Sequence, residues 1–269
     1  MINFANSFPN GDDSAVIPGE TAVIVGSMDG EWQSNYTKNE NLILSYQFSA
    51  IDLKTGLRGD DIYYTNWVEK ERLTITQILE QIGNIVGLSL GDLNGYTIVL
   101  VAHNAIAEWS TIKNRSKLNK YLQMIRKTVI TPGVSPIELK IYDGNRNKKI
   151  VKFMLKDTML LVPEAYRSLK KASVLVDPDF AKLDLTKEEL SNMLKLLQKD
   201  PAKFEAYAIR DTQVTLKLWI TLQCMLNKIN GTQDKIFSTL SSAALSRLKS
   251  MYVEEFGGEA FEFLFRRKK

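Results

Sequence analysis

Two pairs of polar residues follow apolar segments of the chain. Asp29 and Glu31 are two residues apart at the end of a predicted strand, so both carboxylates point to the same face. Asn104 and Glu108 are four residues apart at the start of a predicted helix, which puts them on one helix face. The local alternative for the second pair is an N-cap asparagine followed by a solvated first-turn glutamate. Carboxylates of this kind can bind divalent cations that prefer oxygen ligands.

A third pair lies on a late predicted helix. Tyr207 and Asp211 are four residues apart and share a face. Taken alone, they also fit a core aromatic residue and an ion-pair partner of Arg210 or of a lysine. The joint pattern favours a site, because four carboxylates from three separate segments can converge only at one edge of the sheet.

The composition limits which ligands a metal can have. The chain has one cysteine, Cys224, and one histidine, His103, which exclude an intrachain disulfide, a Cys/His zinc site and a multi-histidine site. A net charge of +4, from 35 basic and 31 acidic residues, permits a polyanionic partner without requiring one. The first 20 residues lack the features of a signal peptide, and no apolar run reaches the roughly 18 residues of a membrane span. We therefore expect a cytosolic protein without a membrane partner.

Strands and helices must position these side chains, and both can be predicted from apolar periodicity. The predicted strands are Ala22 to Val25 leading into MDGEW, LILSYQFSAID, DDIYYTNW, Tyr96 to Ala102, IELKIYDG, and NKKIVKFMLKDT, which ends at Asp157. The predicted helices are Thr74 to Val86, a helix starting near Asn104 as its N-cap, Lys187 to Gln198, Pro201 to Asn227, and FSTLSSAALSRLKSMY. The first three strands read as an antiparallel meander, and Tyr96 to Ala102 as a strand buried on both faces.

Strands early in the chain and helices later, with one strand-to-helix junction between them, predict an α/β fold with a mixed sheet. We expect a loose arm over residues 1–20, one domain over residues 21–230, and a helical C-terminal extension over residues 231–269.

In combination, the segments MDGEW, AHNAIAEW and AYAIRD resemble the three motifs of the DEDD superfamily of 3′–5′ exonucleases. The run NMLKLLQKDPAKFEAYAIRDTQVTLKLW is most similar to the proofreading domain of family B DNA polymerases, and FSTLSSAAL resembles the segment that follows in that group. The resemblance covers about residues 20–250. It implies an RNase H-like fold with a mixed sheet of five to six strands flanked by helices.

The resemblance also implies the catalytic residues. Asp29, Glu31, Glu108 and Asp211 would hold two divalent ions, Mg²⁺ or Mn²⁺, and Tyr207 would orient the attacking water. By the same resemblance, tyrosine at position 207 implies the Tyr-type branch of the superfamily. Glu108 departs from the family pattern, which has aspartate there. One extra methylene moves the carboxylate by roughly 1 Å, enough to weaken a nuclease or change its metal preference.

Further residues are implied as substrate contacts, either by their place in the motifs or by resemblance to a single-strand-binding element of protein-primed polymerases. These residues are Trp32, His103, Asn104, Ser168, Leu169 and Lys182. Solvated lysines are the alternative for the last three positions and their neighbours. We expect the basic surplus to lie along Lys170, Lys171, Lys182 and the C-terminal tail.

The expected function is two-metal-ion hydrolysis of single-stranded or frayed DNA 3′ ends, in proofreading or DNA processing. One alternative is a catalytically weakened module that binds nucleic acid or a polymerase partner, with Glu108 as a sign of decay. Another is a 3′–5′ RNA exonuclease. A polymerase module or other replication proteins are the expected protein partners, and the chain is either a stand-alone nuclease or a piece of a larger polymerase.

Overall fold

A computed structural model of the chain describes residues 22–35, 40–132, 135–233 and 235–265. The predicted arm at 1–20 and the basic end at 266–269 lie outside these ranges. The strands are β1 Val23–Asn35, β2 Glu40–Asp52, β3 Arg58–Tyr64, β4 Thr97–Ala102, β5 Gln123–Ile125, β6 Thr128–Ile130, β7 Ile137–Tyr142 and β8 Lys148–Asp157. The α-helices are α1 Ile75–Ile85, α2 Ala105–Thr111, α3 Leu169–Val176, α4 Lys187–Ser191, α5 Met193–Lys199, α6 Pro201–Asn230 and α7 Leu240–Phe265.

Six strands form one mixed sheet in the order β3-β2-β1-β4-β8-β7, while β5 and β6 form a separate hairpin. The first three strands are antiparallel, β4 lies parallel to both β1 and β8, and β7 is antiparallel to β8. This confirms the predicted α/β fold with a mixed sheet of five to six strands flanked by helices. It also confirms the antiparallel meander. The β5–β6 hairpin was not predicted from the sequence.

The central strand β4 is buried on both faces, as its continuous apolar run predicts. Ile98 and Leu100 pack in one core with α1 and α2, whereas Val99 and Val101 pack in a second core with Trp219 of α6. Helices therefore cover both sides of the sheet. Within the described residues, none of the helices has both the length and the apolar character that crossing a bilayer requires.

Two predicted helices are confirmed, and a third is corrected. Thr74 begins α1 with a capping box, in which its hydroxyl accepts from the Gln77 N–H and the Gln77 side chain accepts from the Thr74 N–H. Asp200 caps α6, which begins at Pro201 as predicted and continues three residues past the predicted end at Asn227, to Asn230. The prediction of a single helix from Lys187 to Gln198 is wrong, because the helix is interrupted at Asn192, between α4 and α5. The Asn192 side chain accepts a hydrogen bond from the N–H of Lys195 and starts α5 as a new helix.

Candidate metal centre

Asp29, Glu31 and Asp211 come together at one edge of the sheet. Each offers a carboxylate oxygen, and these oxygens all lie within 4.8 Å of one another. Asp29 and Glu31 are alternate residues of β1 on the face covered by α6, which carries Asp211. The ladder between β1 and β4 ends at Ser27 opposite Val101, so both β1 carboxylates lie past the carboxyl end of β4. Open α/β sheets bind their ligands at such an edge.

Small polar residues bring α6 close to the sheet and so fix the position of Asp211 relative to the β1 carboxylates. The Ser27 hydroxyl donates to the carbonyl of Thr212 at 2.8 Å, and the hydroxyls of Ser49 and Thr212 are also 2.8 Å apart. All three residues are buried. Since Thr212 follows Asp211 directly, these hydrogen bonds hold the helix where its carboxylate reaches the β1 pair.

Glu108 approaches the same carboxylates from α2, and Gly30 leaves the space for it. The Glu108 Oε2 lies 3.1 Å from the place that a Cβ at position 30 would occupy. Burial and the neighbouring charges of Asp29 and Glu31 raise the pKa of Glu108 well above its usual range. The longer side chain of glutamate thus reaches the cluster across a residue without a side chain.

Replacing Gly30 with alanine is expected to slow a metal-dependent reaction at this centre by about tenfold, with little change in stability. The new methyl group would push the Glu108 carboxylate away by a few tenths of an ångström, and displacements approaching 1 Å cost roughly 100-fold. Rates of the single variants and of Gly30→Ala with Glu108→Asp measure this effect. The two changes should be non-additive, because aspartate withdraws from the added methyl group.

The matched control is Gly144→Ala, since a Cβ at Gly144 would meet nothing within 4 Å. An unchanged rate in Gly30→Ala, or an equal loss in Gly144→Ala, would contradict the proposed clearance between Gly30 and Glu108.

Asp157 organises the strand-to-helix junction that carries Glu108. It is buried at the end of β8, and its carboxylate accepts from the N–H groups of Asn104, Ala105 and Met159 at 3.2, 2.8 and 2.8 Å. The hydroxyl of Thr128 also donates to it. Asn104 occupies the N-cap position in a left-handed conformation, but its side chain makes no capping bond. The prediction of Asn104 as the cap is therefore correct for position, while the capping carboxylate comes from Asp157.

Replacing Asp157 with alanine is expected to lower the free energy of unfolding by about 3 kcal/mol, because several buried donors lose their acceptor. Urea unfolding measures the loss. Asp143→Ala is the control, since Asp143 also accepts from two backbone N–H groups, but these belong to Asn145 and Asn147, which are exposed residues of a turn. We expect its loss to be about 1 kcal/mol or less, because water can replace the carboxylate there. Equal losses in the two variants would contradict the junction's role.

The carboxylates of the cluster hold their protons unusually strongly. Burial, followed by the charge of Asp211, raises the pKa of Asp29 to about 7. Burial and the charge of Asp29 raise the pKa of Glu31 well above its usual range. Burial also raises the pKa of Asp211, although Lys182 opposes the shift. A cluster of this kind is poised to exchange protons for a cation near neutral pH.

Lys182 and Tyr207 complete the cluster on the α6 side. The Lys182 ammonium donates to Asp211 Oδ2 and lies 4.8 Å from the centre of the Tyr207 ring. Burial by itself lowers the pKa of Lys182, but Asp211 and then Tyr207 raise it overall, so the ammonium stays charged. Burial and Asp211 raise the pKa of Tyr207 to about 12, so its hydroxyl keeps its proton at neutral pH.

The unsatisfied oxygens of the cluster fit a hard divalent cation. Oε2 of Glu108 and Oδ1 of Asp211 are buried and have no hydrogen-bond partner among the residues that the structure describes, and both residues are only 3% exposed. A buried carboxylate oxygen without a partner is costly, and a cation bound by the cluster would remove that cost. With no sulfur or nitrogen ligand in the set, Mg²⁺ or Mn²⁺ suits it better than Zn²⁺.

The other predicted substrate contacts are distributed around this centre. His103 is held on both sides: its Nε2 donates to the Arg167 carbonyl at 2.7 Å, and its Nδ1 accepts from the Thr158 hydroxyl at 2.7 Å. Burial lowers the pKa of His103, which keeps the ring neutral. His103 thus connects the junction to the start of α3. The side chain of Asn104 is exposed and makes no capping hydrogen bond.

Ser168 and Leu169 begin α3. The exposed Ser168 is the N-cap, and its hydroxyl accepts from the Lys171 N–H at 3.4 Å, while Leu169 packs partly against the buried Leu218. Trp32 follows a bulge in β1 and packs partly against the core under α1 and α2. The structure thus gives these residues local packing or capping roles, and their contact with substrate stays a prediction.

Two of the lysines expected to carry the basic surplus are paired with acids, whereas Lys171 is exposed and the basic end at 266–269 lies outside the described residues. Lys170 pairs with Asp184 at 2.7 Å, and Lys182 pairs with Asp211, so neither contributes an unopposed charge. A different stretch, residues 113–127, carries six basic residues and no acid. The sequence signal for it was the absence of any acidic residue between Glu108 and Glu138.

Comparison with known proteins assigns neither a family nor a function to the chain. No protein-family model matches the chain, and no curated protein is significantly similar to it. The functional argument therefore depends on the residues and their geometry.

Proposed function

We propose that this chain is a metal-dependent 3′–5′ exonuclease that hydrolyses single-stranded or frayed DNA 3′ ends. The observation that carries the proposal is the cluster of Asp29, Glu31 and Asp211, with Glu108 beside it. One buried oxygen each of Glu108 and Asp211 lacks a hydrogen-bond partner within the described part of the chain. The cluster lies where α/β sheets bind their ligands, and three separate segments of the chain build it.

Each residue has a role that its environment supports. Asp29, Glu31, Glu108 and Asp211 would hold two divalent ions, which when bound supply an activated water and neutralise charge on the leaving oxygen. Tyr207 keeps its proton, because its pKa is raised to about 12, so its hydroxyl can orient a water by hydrogen bonding but is a poor general base.

We assign substrate binding to residues that lie beside the carboxylate cluster. Lys182 is paired with Asp211, and a metal ion that takes the Asp211 carboxylate would leave the Lys182 ammonium free to pair with a phosphate group at that position. The exposed amide of Asn104 can hydrogen-bond to the terminal nucleotide, and His103 holds the junction and the start of α3 together.

The alternative of a decayed, binding-only module rests on Glu108 in place of aspartate. Two observations weigh against it. Gly30 leaves room for the longer side chain, and Glu108 is buried next to the carboxylates rather than turned out to solvent. Glutamate at position 108 is thus compatible with an intact centre.

The proposal is tested with 5′-labelled single-stranded DNA, incubated with the protein in Mn²⁺, in Mg²⁺ or in EDTA. We expect a ladder shortened from the 3′ end in either metal and none in EDTA, while a circular single strand stays intact. RNA of the same sequence separates the two sugar preferences. Binding without metal-dependent shortening, or cleavage of the circle, would overturn the proposal.

A further inference from the structure

We propose that the segment from Lys113 to Lys127, named here the cationic arm, is a nucleic-acid-binding surface that holds phosphates of a strand outside the metal centre. The arm contains the segment that follows α2, two short 3₁₀ turns, strand β5 and the turn that joins β5 to β6. Its place next to the catalytic edge is argued on the proposed function, but binding of a phosphate backbone does not depend on catalysis.

The charge of the arm is one-sided. Its basic residues are Lys113, Arg115, Lys117, Lys120, Arg126 and Lys127, and the nearest acids in the sequence are Glu108 and Glu138. All of the basic residues except Arg115 are exposed. Lys113 lies near Glu71, whereas the other exposed cations of the arm form no ion pair among the residues that the structure describes.

Exposed flat or flexible apolar groups are interleaved with these charges. Tyr121 is 45% exposed with the Lys120 ammonium 4.8 Å from its ring centre, and Met124 is 66% exposed. Aromatic rings stack on bases without sequence preference, and basic groups beside them bind phosphates. This mixture distinguishes the arm from an ordinary solvated lysine-rich surface and favours a nucleic acid over a purely anionic partner.

The arm is attached at both ends to the elements that carry the metal centre. At one end, the Trp109 ring nitrogen donates to Asn119 at 2.9 Å and an Arg115 nitrogen donates to the Trp109 carbonyl at 3.3 Å. At the other end, Thr128 donates to Asp157. Since Trp109 follows Glu108 and Asp157 caps α2, the arm is fixed next to the helix that supplies Glu108.

The hairpin turn offers a test variant that should fold well. Arg126 and Lys127 both have positive φ, 47° and 69°, between the paired residues Ile125 and Thr128. Turns of this kind favour Asn-Gly, because glycine and asparagine adopt the left-handed conformation readily. Arg126→Asn with Lys127→Gly therefore removes two cations while suiting the backbone better than the native pair does.

The experiment measures binding of fluorescent single-stranded DNA to the full chain in EDTA, where metal-dependent cleavage cannot occur. At about 0.1 M salt we expect the double variant to bind on the order of tenfold more weakly. The slope of log K against log salt should fall by about 1.4, since each lost phosphate contact contributes roughly 0.7 for single strands.

The charge-matched control is Lys140→Gln with Lys228→Gln, two exposed lysines on β7 and near the end of α6. We expect this control to change affinity by less than about twofold. Unchanged binding by the hairpin variant, or an equal loss in the control, would overturn the proposal that the cationic arm binds nucleic acid. So would arm-dependent binding to anionic phosphatidylserine vesicles without arm-dependent binding to DNA. Arm-dependent DNA binding by a chain that never cleaves DNA would support the arm and overturn the proposed exonuclease instead.

Discussion

Replacing Asp29 and Glu31 together with alanine is expected to abolish metal-dependent shortening of DNA 3′ ends. Their carboxylate oxygens lie within 4.8 Å of that of Asp211, so the change removes two of the three acids that can share an ion. Loss of the ion's charge stabilisation should lower the rate by at least about 10³-fold. A time course with 5′-labelled single-stranded DNA in Mn²⁺, compared with the unsubstituted chain, measures the effect.

The same substitutions are expected to stabilise the metal-free chain at about pH 8, which a purely structural cluster would not do. The pKa of Asp29 is raised to about 7 and that of Glu31 is also raised, so the folded state binds more protons than the unfolded state. A raised acid therefore destabilises the fold as pH increases through its folded pKa. Removing both acids should raise the free energy of unfolding by about 2 kcal/mol. This is less than the shift in pKa alone would give, because both side chains are partly exposed and solvent screens their charges.

The control for net charge is Asp61→Ala with Glu138→Ala, two exposed acids on β3 and β7. We expect it to keep the full rate and to lack the gain in stability. Activity surviving in the Asp29/Glu31 variant would remove these residues from the catalytic centre. An equal loss in the control would assign the effect to overall charge.

Elements with a strong apolar pattern were predictable from the sequence. The run from Thr97 to Ala102 has no polar side, so only a strand buried on both faces fits it, and the structure places it at the centre of the sheet. Thr74 and Gln77 carry the start signal of α1 in their own side chains. Both features are local, and no distant residue is needed to explain them.

The polar face of β2 shows why other features were not predictable. Ser45, Gln47 and Ser49 alternate with apolar residues, a pattern typical of a strand with one solvated face, yet all three are buried under α6. Hydroxyl groups such as that of Ser49 pair with Thr212 from a helix more than 150 residues away in the chain. Periodicity within one strand contains no information about such a partner.

The candidate site was predictable in its residues but not in its supports. Asp29 and Asp211 could be proposed from spacing and resemblance, since their motifs are short and local. The clearance at Gly30 and the capping role of Asp157 depend on how α2 meets two strands in space. An acid at the end of a buried strand was the available signal for Asp157, but its capping role requires knowing which helix starts there.

Adding Mn²⁺ is expected to raise the unfolding temperature of the chain at about pH 8. A ligand at about 100 times its dissociation constant stabilises the folded state by about 2.7 kcal/mol, if the unfolded chain does not bind it. For a chain of this size, that corresponds to an increase of about 5 to 10 °C. Thermal unfolding followed by circular dichroism, with and without Mn²⁺, measures the increase and requires no nucleic acid.

The increase should become much smaller at about pH 6, and the direction follows from the carboxylates. Metal binding needs the ionised forms of Asp29 and its neighbours, and the pKa of Asp29 is about 7. Below that pH, protons compete with the ion and weaken its binding. Above it, the ion neutralises the like charges that destabilise the metal-free fold, so binding and stability change together.

The Asp29→Ala, Glu31→Ala variant separates this site from adventitious metal binding. Two of the three clustered carboxylates are gone in it, so Mn²⁺ should leave its unfolding temperature unchanged at both pH values. An equal increase in the variant would place the bound ion elsewhere on the chain. If the unfolding temperature of the unsubstituted chain increased equally at both pH values, binding at acids with raised pKa values would be contradicted. The expected difference between the two pH values would instead assign the ion to these carboxylates without any nuclease assay.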